Sequence, residues 1–299
     1  MEQDTHIRKQ ASGNLGPHIL NALHHAGFAV SVLTRPESSA SFPAYASKIA
    51  TDYSLSSLKS AFQNQDAVVS CVGVAGVSSQ IAMIDAADEA GVKRFMPSEW
   101  GWAKDRPMLD ELKQRLAEKE KVFDYLVEKC NASKTMSWSA IAAGPFLDWA
   151  LVKVPALGFV IPAHKARIIG SGDEPVTASI GADIGKAAAG TLIHGDKSRN
   201  RFLKIFSVET TQNKILAVLE RSSGTEWKVD RIGIDKLLED KKQKLEEKNF
   251  QGAFVDVLAQ QLFEDGKGRG RHVERSESEN ELLGIPEKDT EAVVELLLK

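Results

Sequence analysis

The sequence predicts an α/β chain built on a doubly wound parallel sheet, with a second, smaller α+β unit. Two observations predict it. Short apolar runs of strand type alternate with segments whose apolar residues recur every three or four positions through the first half of the chain. A glycine turn, Ala11-Ser12-Gly13-Asn14-Leu15-Gly16, opens the first helical segment, as the turn of a nucleotide-binding βαβ unit does. The 299 residues suffice for one or two domains, and 42% apolar with 26% charged residues is ordinary globular composition. A net charge of −3 speaks against nucleic-acid binding by bulk electrostatics. Two cysteines, Cys71 and Cys130, suggest neither a disulfide framework nor a structural zinc site. No apolar run approaches the roughly 18 residues of a membrane span, and residues 1–6 carry no signal-peptide core. A cytoplasmic location is the default expectation.

The first strand should lie just before the turn, but residues 5–10 hold one strong apolar residue, Ile7, and Gln10 stands where a first glycine belongs. Loss of that strand would leave its neighbours with unpaired backbone groups, so low stability is expected. After the turn, Leu15, Ile19, Leu20 and Leu23 share a helix face that Gly27 closes. Residues 28–35 read as the second strand. Ser12, Gly13, Asn14, Leu15 and Gly16 are the expected pyrophosphate cradle. Arg35, where the second strand leaves the sheet, suits the 2′-phosphate of NADP, whereas an acidic residue there would suit NAD. Residues 48–52 form a third strand, and Leu55, Leu58 and Phe62 mark a helix. Residues 66–73 form a fully buried fourth strand that ends in a turn at Gly73, a further cofactor candidate. Ile81, Ile84, Ala87 and Ala90 line the next helix, and residues 92–97 form the fifth strand.

Residues 92–101, Val-Lys-Arg-Phe-Met-Pro-Ser-Glu-Trp-Gly, resemble the GVKRFxPSEFG signature of the NmrA-like and isoflavone reductase-like family, an atypical branch of the short-chain dehydrogenases. The turn at 11–16 is similar to that family's G-A-T-G-x-x-G, and Gly144-Pro145-Phe146-Leu147-Asp148-Trp149 to a segment of its fungal members. The resemblance implies a Rossmann-type NADP(H)-binding domain over residues 1–150. It implies a substrate domain over 151–299, interleaved so that the chain returns to the sheet near 201–206. It also implies reduction of small phenolic, carbonyl- or ether-bearing molecules. Gln80 matches a position facing the nicotinamide, and Phe146 and Trp149 would help to form the substrate pocket. Ser98 and Glu99 end the fifth strand, where Ser98 is expected to bond substrate or cofactor and Glu99 to cap or pair.

The helix over residues 109–129 carries the chemistry. Leu112, Leu116, Phe123 and Leu126 form its apolar stripe, and Lys119 falls inside that stripe on the helical wheel. Burial lowers a lysine's pKa and suits it to proton transfer. Lys119-Glu120-Lys121-Val122 also matches the family's K-x-K-V pattern, which implies that Lys119 is the catalytic residue beside the cofactor. Tyr125 and Lys129 spell the Y-x-x-x-K of ordinary short-chain dehydrogenases, but Tyr125 sits well round the helix from Lys119 and reads as coincidence. Phe123 stands where plant members carry a phosphate-binding arginine. In the second half, residues 136–141 form a sixth strand, 167–170 and 175–180 strands of one small sheet, 183–193 a helix and 201–206 a strand. A helix over 210–219, charged helices over 235–248 and a basic glycine loop over 266–271 follow. The expected activity is NADPH-dependent reduction of a small substrate with Lys119 as general acid/base. The rivals are a dinucleotide-binding regulator that acts through a protein partner, and an inactive variant with a disrupted first strand.

Overall fold

A computed structural model describes the backbone of residues 4–8 and the whole of residues 13–298. In chain order the first half holds β1 (Asp4–Arg8), α1 (Gly16–His25), β2 (Ala29–Thr34), β3 (Ala46–Ala50), α2 (Leu55–Phe62), β4 (Ala67–Ser70), α3 (Gln80–Glu89), β5 (Arg94–Met96), α4 (Asp110–Ala132) and β6 (Ser137–Ala142). There follow β7 (Phe159–Val160), β8 (Lys165–Ile169), β9 (Val176–Ala178), α5 (Gly181–Ile193), α6 (Gly195–Ser198), β10 (Arg201–Lys204), β11 (Val208–Thr210), α7 (Gln212–Ser223) and β12 (Lys228–Ile232). The chain continues through α8 (Ile234–Glu246), α9 (Phe250–Phe263), α10 (Asn280–Leu283) and α11 (Thr290–Leu298).

Seven strands form one parallel sheet in the order β3-β2-β1-β4-β5-β6-β10. The order reverses between β1 and β4. At such a switch point the loops part on the C-terminal edge and leave a crevice for ligand. Helices α1 and α5 cover one face, and α2, α3 and α4 the other. Both faces are buried, which is why β4 is apolar throughout: Val69 packs toward α1 and α5, and its neighbour Val68 toward α2, α3 and α4. The one charged residue within β5, Arg94, is held by donating to the hydroxyls of Ser137, Ser139 and Ser198 and to the Gly195 carbonyl. Near the N-terminus, Asp4–Arg8 pairs with β2 on one side and β4 on the other. The lost ladder that the polar sequence suggested does not arise, because backbone pairing needs no apolar side chain. No helix among the described residues is long and apolar enough to cross a membrane.

A third core gathers apolar residues drawn from 147 to 294, off the end of the sheet. Here one expectation is corrected: residues 167–170 and 175–180 do not share a sheet. Strand β8 pairs with β7 and β12, whereas β9 pairs antiparallel with β11. Gly170 (φ +57°) and Gly172 (φ +78°) turn the chain between them in a conformation that only glycine takes cheaply. The basic loop is an internal fixture. Gly266 and Gly268 N–H donate to Glu174, Arg269 pairs with Glu264 and Arg271 with Glu209.

The register of α1, and hence of its N-terminus, depends on close contact with α5. A Cβ on Gly185 would lie 2.4 Å from the His18 carbonyl oxygen, and one on Gly181 2.4 Å from the His18 ring. Gly185→Ala is expected to destabilise the fold by about 1–3 kcal/mol, because α1 must move off α5. A urea midpoint equal to that of the parent chain would refute this packing.

Candidate active site

Helix α4 begins at the cap Leu109, with Asp110 and Glu111 in the first turn where the helix dipole favours negative charge. It buries Leu112, Val122, Phe123, Leu126 and Cys130. Lys119 lies on that side and keeps only 17% of its side chain exposed. Its Nζ stands 3.6 Å from Oε2 of Glu99, which is 14% exposed. A cavity of about 340 Å³ opens on this pair, walled also by Trp102, Lys104, Arg106 and Leu116. Burial pushes the Glu99 carboxyl above its ordinary range, and Lys119 and then Lys104 pull the other way.

The loop that carries Glu99 is tied down on every side. Glu99 N–H donates to the Pro97 carbonyl, and its own carbonyl accepts from Ile141 N–H. On one side of it, Ser98 N–H donates to Gln80 Oε1 (2.8 Å) and Ser98 Oγ to the Val72 carbonyl (2.7 Å). On the other, Trp100 Nε1 donates to the Ser70 carbonyl. Thus Gln80 and Ser98 are buried groups that bind the end of β5 to the end of β4. The Ser98 hydroxyl proton is spent on Val72, which leaves its oxygen as an acceptor only.

Phe146 and Trp149 line a different cavity, of about 320 Å³, with Asn14, Leu15, His18 and Asp148. The structure therefore brings these two aromatics beside the glycine turn rather than into the Lys119 cavity. Gly13 lies between β1 and α1, Gly16 is the first residue of α1, and among the described residues no side chain caps the α1 N-terminus. Ser12 lies outside the described residues. Gly73 begins the turn after β4, its carbonyl accepting from Gly76 N–H. Arg35 is exposed just beyond β2, and its guanidinium has no partner among the described residues. Tyr125 donates to Asp85 (2.6 Å), which also pairs with Lys129, and that hydrogen bond raises the phenol's pKa. This fits the reading of Tyr125-x-x-x-Lys129 as coincidence. Both cysteines are buried, and burial pushes each thiol up to about 12, so neither is a nucleophile. Trp102, Lys104 and Arg106 were not legible as site residues, because they come from an irregular loop with no periodicity to mark them.

The model of the NmrA-like family matches residues 9–251. The chain belongs to that family. It is 35% identical over 291 residues to the oxidoreductase poxI of Penicillium oxalicum, covering 97% of this chain and 92% of poxI. It is 32% identical over 295 residues to the oxidoreductase aprR of Aspergillus flavus, covering 97% of each. Among solved structures it resembles AtPrR2 with NADP+ and (+)-pinoresinol, with a TM-score of 0.78 at 19% identity over 99% of both chains. This NmrA-like chain therefore shares its fold from end to end with a protein solved holding NADP+, and its sequence with fungal oxidoreductases.

Proposed function

We propose that the chain is an NADPH-dependent reductase of small aromatic or carbonyl-bearing molecules, with Lys119 as the proton-transferring group. The observation that carries this reading is the Lys119–Glu99 pair facing a cavity at the C-terminal end of β5, on the ligand-bearing edge of the sheet. The oxidoreductase names of poxI and aprR and the NADP+ of the structural relative support it. The residues present fit the cofactor. Among the described residues, the α1 N-terminus has no side-chain cap and no acidic residue in its first turn, and Arg35 is a cation without a partner where a 2′-phosphate would lie. Gly13, Asn14, Leu15 and Gly16 would hold the pyrophosphate. Gly73 and Gln80 border the same crevice, Gln80 as a buried brace. When bound, NADPH supplies the hydride. Lys119 Nζ gives a proton to the substrate oxygen, and Ser98 and Glu99 hold the strand end that positions it. Phe146 and Trp149 would meet the bound molecule in the cavity beside the turn. On this reading residues 1–150 hold the cofactor and 151–299 cover the substrate, with 201–206 returning to the sheet.

The test is fluorescence titration with NADPH and NADH. NADPH is expected to bind more tightly. Arg35→Ala is expected to weaken NADPH about 10- to 100-fold, the worth of one charge-assisted contact of roughly 1.5–3 kcal/mol, and to leave NADH nearly unchanged. Binding of neither nucleotide would overturn the reading.

A further inference from the structure

We propose that Glu99 is the positioning residue for Lys119: its carboxylate holds the Lys119 ammonium at the cavity wall, from which the lysine enters the reaction as an acid. The inference rests on the reductase reading for its chemistry, but the pair itself is a feature of this chain. An N–H bond of Lys119 breaks as an O–H bond forms on the substrate, and the electron pair stays on Nζ. The carbon beside that oxygen takes the hydride, so NADPH is the reductant and the substrate is reduced.

Three observations single out Glu99. The first is closeness and burial. The charges are 3.6 Å apart with at most 17% exposure, unlike the loose surface pairs that contribute little. The second is rigidity. Glu99 hangs from a backbone bonded through both its N–H and its carbonyl, between two anchored neighbours, Ser98 and Trp100. A buried pair held this way specifies position more than it adds stability.

The third is that the other charged side chains at the cavity have ion-pair partners elsewhere. From the loop after β5, Lys104 is bound to Asp124 at 2.6 Å and to Glu120 at 3.8 Å, with its head 4.7 Å from the Phe123 ring centre. Arg106, from the same loop, is paired with Glu277. On α4, Lys113 is paired with Asp110, and Glu120 faces Lys104. Among the described residues, Glu99 and Lys119 are left to each other.

The experiment follows Lys119 directly. The full chain is labelled with acetic anhydride across pH, and modification of Lys119 is read by mass spectrometry, with exposed Lys121 as the internal control. Glu99→Gln is expected to raise the extent of Lys119 labelling several-fold across the curve, because the amine is no longer held at the cavity wall, and Glu99→Asp to fall between it and the parent. Lys121, paired with Glu118, should not move. In NADPH-dependent reduction of 9,10-phenanthrenequinone or 4-nitrobenzaldehyde, Glu99→Gln should lower kcat about 10- to 100-fold with little change in KM, and Glu99→Asp should recover part of the loss. The acid limb of the parent's kcat profile, set by Glu99, should vanish in Glu99→Gln. A Lys119 labelling curve identical in parent and both variants would overturn the proposal. So would raised labelling with unchanged kcat. A parent chain that reduces neither probe, with Lys119 labelling still raised in Glu99→Gln, would keep Glu99 as the partner and remove the reductase reading instead.

Discussion

Lys119→Met is expected to lower kcat by about 10²- to 10⁴-fold, the usual worth of a positioned acid or base, and to weaken NADPH far less. Methionine keeps the methylene stem that lies along the buried side of α4, so the helix and its contacts with Leu116 and Phe123 should survive. What is lost is the proton and the charge. Glu99 is then left without its cation; burial already raises its carboxyl above the ordinary range, and it would take up a proton rather than remain a buried anion. The melting temperature should therefore move little while turnover collapses. Lys121→Met serves as control. Its side chain is 70% exposed and pairs with Glu118 on the same helix, so activity should stay within about threefold of the parent. A Lys119→Met chain with near-parental kcat would end the acid/base assignment, whatever it did to nucleotide binding.

That Lys119 lies on the buried side of α4 was legible in the sequence, and this shows what kind of information a sequence carries well. Helical periodicity is local, so a cation inside the stripe Leu112, Leu116, Phe123, Leu126 stands out. Its partner does not. Glu99 lies at the end of β5, and only the packing of α4 beside that strand brings the two together. The parallel sheet was legible for the same local reason: strands buried on both faces, such as β4, are continuous apolar runs. The second half was harder to read because its strands are short, β9 and β11 having three residues each, and they pair across long intervals. Strand β12, with three of its five residues exposed and the other two half-buried, gives no apolar signal at all. The sequence did not place Phe146 and Trp149 beside the glycine turn. They line a cavity beside Asn14 and Leu15, because Gly144 turns the chain away from β6 just before them.

That turn is also where acid should do most damage. His272 is fully buried and joins three segments: its Nε2 lies 2.8 Å from the Ile205 carbonyl beyond β10, its Nδ1 lies 2.8 Å from Thr177 Oγ1 and 3.0 Å from the Thr177 carbonyl in β9, and its ring packs on Gly144. Burial lowers its pKa to about 4, so the ring is neutral in the fold at pH 7. In the unfolded chain it takes up a proton near pH 6.5. The unfolded state thus binds more protons between these values, and stability falls as pH drops from about 6.5 to about 4. The fall from this one group is about 3 kcal/mol, a large share of the roughly 5–15 kcal/mol that holds a typical domain together. Urea unfolding at pH 7.5 and pH 4.5 tests it. The parent is expected to lose about 2–3 kcal/mol more than His272→Gln over that interval, because titrations common to both chains cancel in the difference. Gly144→Ala probes the same joint from the other side. Its φ of +65° penalises a side chain, and the new Cβ would lie 2.2 Å from His272 Nδ1, so destabilisation of about 3–5 kcal/mol is expected. Gly144 N–H donates to the Gly101 carbonyl, in the loop that walls the Lys119 cavity, so whatever Gly144→Ala protein folds should also show weakened turnover. Equal acid sensitivity of the parent and His272→Gln would mean that the ring finds its proton inside the fold and that the joint is looser than its packing indicates.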